Sequence, residues 1–213
     1  MLVSHELEVI SFRIPKTANK AITRAIKSLT NNPDEVEQIM PEIGPYWRRR
    51  KVPQRYHEYF VFAVVRNPYS RIVSHYLHRK QKRSSGQMHK LVKRWSFKEY
   101  LTWNREPSKE PVHQHDLPQM EYLREAPVDK LIRFESLPES FVGLPFVPED
   151  YRLPYVNTAK ETYDWRDYYT EETAALVLDW MMEDFDRLGY VRESWKSAGY
   201  PEHIGDKEEI ILD

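Results

Sequence analysis

The sequence predicts one α/β domain with a mostly parallel central sheet, at residues 1–190, and a C-terminal tail at 191–213. Strand-like apolar runs alternate along the chain with segments whose apolar residues recur at helical spacing. The run at 59–65 is apolar along its whole length, which is typical of a parallel strand buried on both faces. These two observations favour a sheet covered by helices.

The first predicted unit is a strand, a tight turn and a helix. The strand covers residues 7–14, and Pro15 ends it. Between residues 19 and 29, alanine, isoleucine and leucine recur every three or four positions, which predicts a helix. Prolines are frequent at 33–58, where we expect irregular or short helical structure.

The second predicted unit begins with the strand at 59–65. The turn at 66–68 then leads into a helix, and the basic, polar stretch at 80–94 predicts a loop. Ser96 and Glu99 form a capping-box pattern, which predicts a short helix through Trp103.

The last third of the chain predicts a strand at 129–134, a short helix at 136–141 and a long helix at 171–188. Thr170 is the expected N-cap of the long helix and Gly189 its C-terminal stop.

The composition limits the class of protein. The hydrophobic fraction of 40% is ordinary for a globular protein, and the net charge of −1 argues against a nucleic-acid partner. The chain has no cysteine, so disulfides and cysteine-based metal sites are excluded. With no signal peptide or membrane-spanning run recognisable, we expect a cytoplasmic protein with no membrane partner.

Ligands of parallel α/β sheets bind beyond the carboxyl ends of the strands, so the turn at 14–21 is a candidate site. Lys16 directly precedes a predicted helix, whose free N–H groups attract anions. The turn has no glycine and is therefore not a Walker A loop, which disfavours an ordinary P-loop kinase. The alternative is a proline-terminated strand followed by a surface lysine.

The turn at 65–74 is the second candidate. A guanidinium such as that of Arg66, at the end of a buried strand, can bind a phosphate through two hydrogen bonds. Ser74 lies two helical turns further on and would grip the same phosphate if it pointed to the same side. The alternative is that Arg66 pairs with a local carboxylate and Ser74 is solvated.

Together, the two turns resemble the sulfotransferase family, especially its carbohydrate sulfotransferase branch. Residues 15–17 resemble the 5′-phosphosulfate loop of that family. Residues 66–76 resemble its 3′-phosphate motif, Arg-Asn/Asp-Pro-x-x-Arg-x-x-Ser-x-Tyr, which is long and specific. Four further segments resemble the family and follow in its order: 119–123, 129–137, 153–158 and 168–190. The likeness therefore covers about residues 7–190.

The resemblance implies a P-loop NTPase-like three-layer fold and an enzyme that moves a sulfuryl group from 3′-phosphoadenosine 5′-phosphosulfate (PAPS) to a hydroxyl acceptor. A carbohydrate is the favoured acceptor, either a glycan or a small molecule, and no metal is implied. Lys16 would contact the bridging oxygen between phosphate and sulfate. The residues implied to bind PAPS are Pro15, Lys16, Thr17, Ala18, Asn19, Lys20, Ala21, Arg66, Ser74, Asn157 and Thr158.

A general base should accept the proton of the acceptor hydroxyl. In many relatives a histidine or glutamate between the two turns has this role. The corresponding position here falls near Glu42, which is our first candidate for the base. Lys16 and Glu42 are thus the two predicted catalytic residues. His57 is the second candidate. His113 and His115 lie in a predicted loop where they would contact the acceptor.

The residues at 18–20 depart from the family, which usually has glycine and hydroxyl residues there. A homologue that binds PAPS or another nucleotide without catalysis is therefore an alternative. A P-loop phosphotransferase is a further one, disfavoured by the missing glycine-rich loop and the lack of an evident Mg²⁺ carboxylate.

Overall fold

The structure is a computed structural model that describes residues 1–39, 54–81, 87–104, 117–124, 126–154, 163–197 and 202–203; within 87–104, side chains are described from Lys90 onward. The chain forms two compact units, each made of two stretches of sequence: Met1–Arg66 with Gln119–Glu161, and Asn67–Pro118 with Thr162–Asp213. The single domain over residues 1–190 stays a prediction. Among the described helices, none has the length and apolar character needed to span a bilayer.

A five-stranded sheet lies in the first unit, in the order β3-β1-β2-β4-β5. Its strands are β1 (Leu2–Ser4), β2 (Val9–Phe12), β3 (Glu37–Gln38), β4 (Phe60–Val65) and β5 (Lys130–Arg133). β1 runs against both of its neighbours, so the other four strands share one direction. The mostly parallel sheet expected from the sequence is therefore confirmed, while the P-loop-like arrangement of layers stays a prediction.

Helix α1 (Asn19–Leu29) has the bounds that the sequence predicts. Its apolar residues recur on one face, which is buried against the sheet together with α6 (Leu137–Val142). Burial of one large aliphatic side chain contributes about 1.5–3 kcal/mol, so this face fixes the helix on the sheet. The core cluster contains Leu2, Val9, Ile22, Ala25, Ile26, Val36, Phe62, Val64, Ile132, Leu137, Phe141, Leu144 and Val147.

Strand β4 is buried along its length except at Phe60, as its continuous apolar sequence predicts. It pairs in parallel with β2 on one side and β5 on the other. The short helix α5 (Gln119–Leu123) also belongs to this unit, and four of its five residues are buried.

The second unit contains helices α2 (Pro68–Gln81), α3 (Gln87–Val92), α4 (Phe97–Asn104), α7 (Glu171–Trp180) and α8 (Met182–Leu188). Aromatic rings form much of its interior. The Tyr76 ring, for example, contacts Phe97 and Tyr100 at centroid distances of 5.4 Å. The capping box predicted for α4 is confirmed by the contacts of Ser96 with Glu99. The predicted N-cap of α7 is confirmed by the hydrogen bond from the Thr173 N–H to the Thr170 hydroxyl.

Two predictions about elements are wrong, and two strands were not predicted. The stretch 80–94 is not one loop, because α2 continues to Gln81 and α3 follows. The helix predicted at 171–188 is two helices, interrupted at Met181, whose φ of −116° and ψ of 27° depart from helical values. Strands β1 and β3 have only three and two residues and were not predicted.

Part of the predicted C-terminal tail packs in the second unit. Ser194 is completely buried, and its hydroxyl accepts a hydrogen bond from the Asn67 amide at 3.0 Å. The Arg192 carbonyl accepts one from the Tyr69 hydroxyl at 2.8 Å.

Candidate functional site

Three strands of the first unit end at one edge of its sheet. β2, β4 and β5 are parallel neighbours, with Phe12 opposite Ala63 and Val65 opposite Arg133. The chain segments that follow these strands therefore lie side by side. The turn from Ile14 to α1 follows β2, and Arg66 follows β4.

The turn before α1 has a left-handed backbone without any glycine. Lys16 has φ 71° and Ala18 has φ 62°, in the region that L-residues other than glycine rarely adopt. Two side chains hold the turn: the Thr17 hydroxyl and the Asn19 amide both donate to the Ile14 carbonyl, at 2.9 and 2.7 Å. These hydrogen bonds thus stabilise a backbone conformation that glycine adopts without steric cost.

Ala18 is the N-cap of α1, and its methyl side chain makes no capping hydrogen bond. The N–H groups of the first helical turn have no acceptor within the helix, so they place a partial positive charge at this end. Backbone donors there suit a phosphate oxygen.

The Lys16 ammonium is half-buried among positive charges. The pKa of Lys16 is lowered to about 8, mainly by burial and in part by repulsion from the neighbouring cations Arg66 and Lys20. Lys20 itself is exposed. Because three cations lie together, an anion with more than one charge would be strongly favoured here.

The Arg66 guanidinium joins the two turns. Its Nη1 donates to the Lys16 carbonyl at 3.3 Å, and its central carbon lies 4.1 Å from the centre of the Phe134 ring. Phe134 directly follows β5, so residues from three strand ends meet around one guanidinium. Cation–π contact and the hydrogen bond both limit the freedom of this long side chain.

Sequence reasoning missed Phe134 and Gln119 at this site. The buried Gln119 side chain makes two hydrogen bonds to the Arg66 backbone, each 2.8 Å long. Phe134 is the last residue of the predicted strand at 129–134, so the rule that sites lie at strand ends could have found it.

The other predicted residues are placed as follows. Pro15 is half-buried in the turn, and Ala21 is buried in α1. Ser74 is half-buried on α2, in the second unit. His57 is exposed. Five predicted residues lie outside the described part of the chain: Glu42, His113, His115, Asn157 and Thr158.

The family model for the sulfotransferase family matches residues 1–190. The chain belongs to this family. No curated protein and no solved structure gave a significant match to the chain. In this sulfotransferase the turn before α1 has no glycine, and hydrogen bonds from Thr17 and Asn19 to the Ile14 carbonyl hold it around Ala18.

Proposed function

We propose that this sulfotransferase takes the sulfuryl group from PAPS and transfers it to a hydroxyl group of an acceptor, with a carbohydrate as the proposed acceptor class. The contact between Arg66 and Lys16 supports this proposal most directly. It unites two turns fifty residues apart, one suited to each end of a nucleotide that carries phosphate at both its 3′ and 5′ positions.

The residues present fit such a nucleotide. The uncapped start of α1 offers backbone donors, and Lys16, Lys20 and Arg66 supply positive charge close together. Three neighbouring cations repel one another, and an anionic ligand would relieve this repulsion whereas a neutral ligand would not. Thr17 and Asn19 use their side chains to shape the turn, so their proposed contacts to the 5′-phosphate are made by backbone N–H groups.

Bound PAPS would supply an activated sulfuryl group. The ammonium of Lys16 would stabilise the negative charge that develops on the departing phosphate oxygen, as a fixed cation in a partly dry site. Arg66 would hold the 3′-phosphate and so fix the direction of the transferred group. Glu42 as base, His113 and His115 as acceptor contacts, and Ser74, Asn157 and Thr158 as cofactor contacts stay predictions.

The first experiment compares two ligands that differ only at the 3′ position: adenosine 3′,5′-bisphosphate (PAP) and adenosine 5′-phosphate (AMP). In Arg66→Ala we expect the Kd for PAP to rise roughly 10- to 100-fold, as expected for lost hydrogen bonds to a charged group, while the Kd for AMP barely changes. Arg55→Ala is the matched control, because Arg55 is exposed and precedes β4 at its other end.

The same preparation is assayed for transfer of labelled sulfate from PAPS to a panel of glycans and small alcohols. Lys16→Ala should lower the rate at least about 100-fold and still unfold cooperatively. Wild-type protein that neither prefers PAP to AMP nor transfers sulfate to any compound of the panel would contradict the proposed function.

A further inference from the structure

The carboxamide of Gln119 is paired with the backbone of Arg66. Its Oε1 accepts a hydrogen bond from the Arg66 N–H at 2.8 Å, and its Nε2 donates to the Arg66 carbonyl at 2.8 Å. Gln119 is the first residue of α5 and is completely buried. Both residues belong to the first unit.

This pairing lies where the sheet stops. β4 pairs with β5 as far as Val65 and Arg133, and Arg66 is the next residue of the chain. A carboxamide has a donor group and an acceptor, the same two groups that a residue of a neighbouring strand offers. The Gln119 side chain therefore continues the hydrogen-bonding ladder of β4 by one residue.

The pairing also determines how the Arg66 side chain is presented. Because both polar groups of its backbone are bonded, the peptide planes on either side of Arg66 cannot rotate without breaking a buried hydrogen bond. The Cα–Cβ bond consequently leaves the strand in one direction. From there the guanidinium reaches the Phe134 ring and the Lys16 carbonyl.

We propose that Gln119 is a positioning residue, which fixes the backbone of Arg66 so that its guanidinium is held ready for the 3′-phosphate of the donor nucleotide. This inference rests on the proposed function. Gln119 acts through Arg66 and does not itself contact the nucleotide. Replacement of Gln119 should therefore weaken binding of the 3′-phosphate, as replacement of Arg66 does, and should have no further effect on nucleotide binding.

The test uses the full chain with two substitutions at this position. Gln119→Met removes both hydrogen bonds at nearly constant volume, and Gln119→Glu keeps the acceptor but loses the donor. Gln38→Met is the matched control, since Gln38 is an exposed glutamine on β3 of the same unit. Kd values for PAP and AMP are measured for each variant and for Arg66→Ala with Gln119→Met.

We expect both Gln119 variants to bind PAP roughly 10- to 100-fold more weakly than wild type and to bind AMP equally well. The double variant should bind PAP no more weakly than Arg66→Ala alone, because residues that act as one unit are not additive. Gln38→Met should match wild type for both ligands.

Equal losses for PAP and AMP, an unchanged preference for PAP, or additive losses in the double variant would each overturn the inference. If the variants do not fold, hydrogen exchange on wild-type protein decides: slow exchange of the Arg66 N–H supports the pairing, and exchange at the rate of an unstructured peptide overturns it. A wild-type protein without preference for PAP instead contradicts the proposed function.

Discussion

Lys16 combines two features that oppose folding. Its ammonium is partly removed from water, and Arg66 and Lys20 repel it; burial is the larger cause of its pKa of about 8. Its backbone is also left-handed. Residues that are costly to the fold are often the ones that function requires, because an active site needs groups that are ready to interact with a ligand.

Replacement of this charge should therefore stabilise the free protein. The pKa of Lys16 is lower in the folded than in the unfolded chain, so below pH 8 the folded state bears the full cost of the cation. This cost disappears as pH rises from about 8 toward the ordinary pKa of 10.5.

We expect Lys16→Met to raise the free energy of unfolding by about 1–3 kcal/mol at pH 7, and by much less at pH 10. Urea unfolding of both proteins at the two pH values measures the difference. Lys20→Met, at an exposed position, is the control and should change stability little at either pH. A pH-independent gain would show that the ammonium is not desolvated.

The residues of the first turn favour an anion site, which stays a prediction, but its backbone conformation could not be predicted. A strand, a proline, a lysine and a helix in that order indicate an anion site. The left-handed backbone angles at Lys16 and Ala18 could not be predicted, because the turn contains no glycine. The two hydrogen bonds to the Ile14 carbonyl that stabilise these angles depend on the three-dimensional structure.

At the scale of elements, helix starts are the most predictable feature. The Thr170 hydroxyl accepts from the Thr173 N–H, and the Thr173 hydroxyl accepts from the Thr170 N–H. These reciprocal bonds satisfy donors that α7 itself cannot. The sequence predicts Thr170 as the N-cap but does not predict the return bond to Thr173.

Thr170→Ala should cost about 1 kcal/mol of stability, because one capping acceptor is lost. Thr102→Ala is the matched control: Thr102 lies inside α4, is exposed and bonds to its own helix through the Lys98 carbonyl. Thermal unfolding compares the two midpoints. An equal loss in both variants would indicate that the cap contributes nothing.

Interruptions within elements are the least predictable feature. Neither proline nor glycine marks the break at Met181, whose completely buried side chain is held by tertiary packing. In the same way, β1 and β3 are too short to show an alternating pattern, and they form by pairing with each other and, for β1, with β2. Both cases depend on contacts between distant residues.

At the scale of the whole molecule, a net charge of −1 hides a local excess of positive charge. The cations near Lys16 lie on the first unit, at the edge where its parallel strands end. This location could be predicted, since the rule concerns the direction of strands and not their sequence. The contact of Arg66 with Phe134 could not be predicted, because it depends on the rotamer of a long side chain.

Binding should therefore be visible in the stability of the folded protein. At a concentration 100 times its Kd, PAP should add about 2.7 kcal/mol to the free energy of unfolding. For a chain of this length we expect the Tm to rise by about 5–10 °C. AMP at the same concentration is the control and should raise it less; an equal rise for both ligands would contradict a specific site for the 3′-phosphate.

The burial of Ser194 has a practical consequence for anyone who shortens this protein. The family match stops at residue 190, which invites a cut after Tyr190. Such a cut would delete the acceptors of the Asn67 amide and the Tyr69 hydroxyl, together with the completely buried Ser194. Expression trials should retain residues 191–203, because the Glu202 side chain also accepts a hydrogen bond from Arg166 at 2.9 Å.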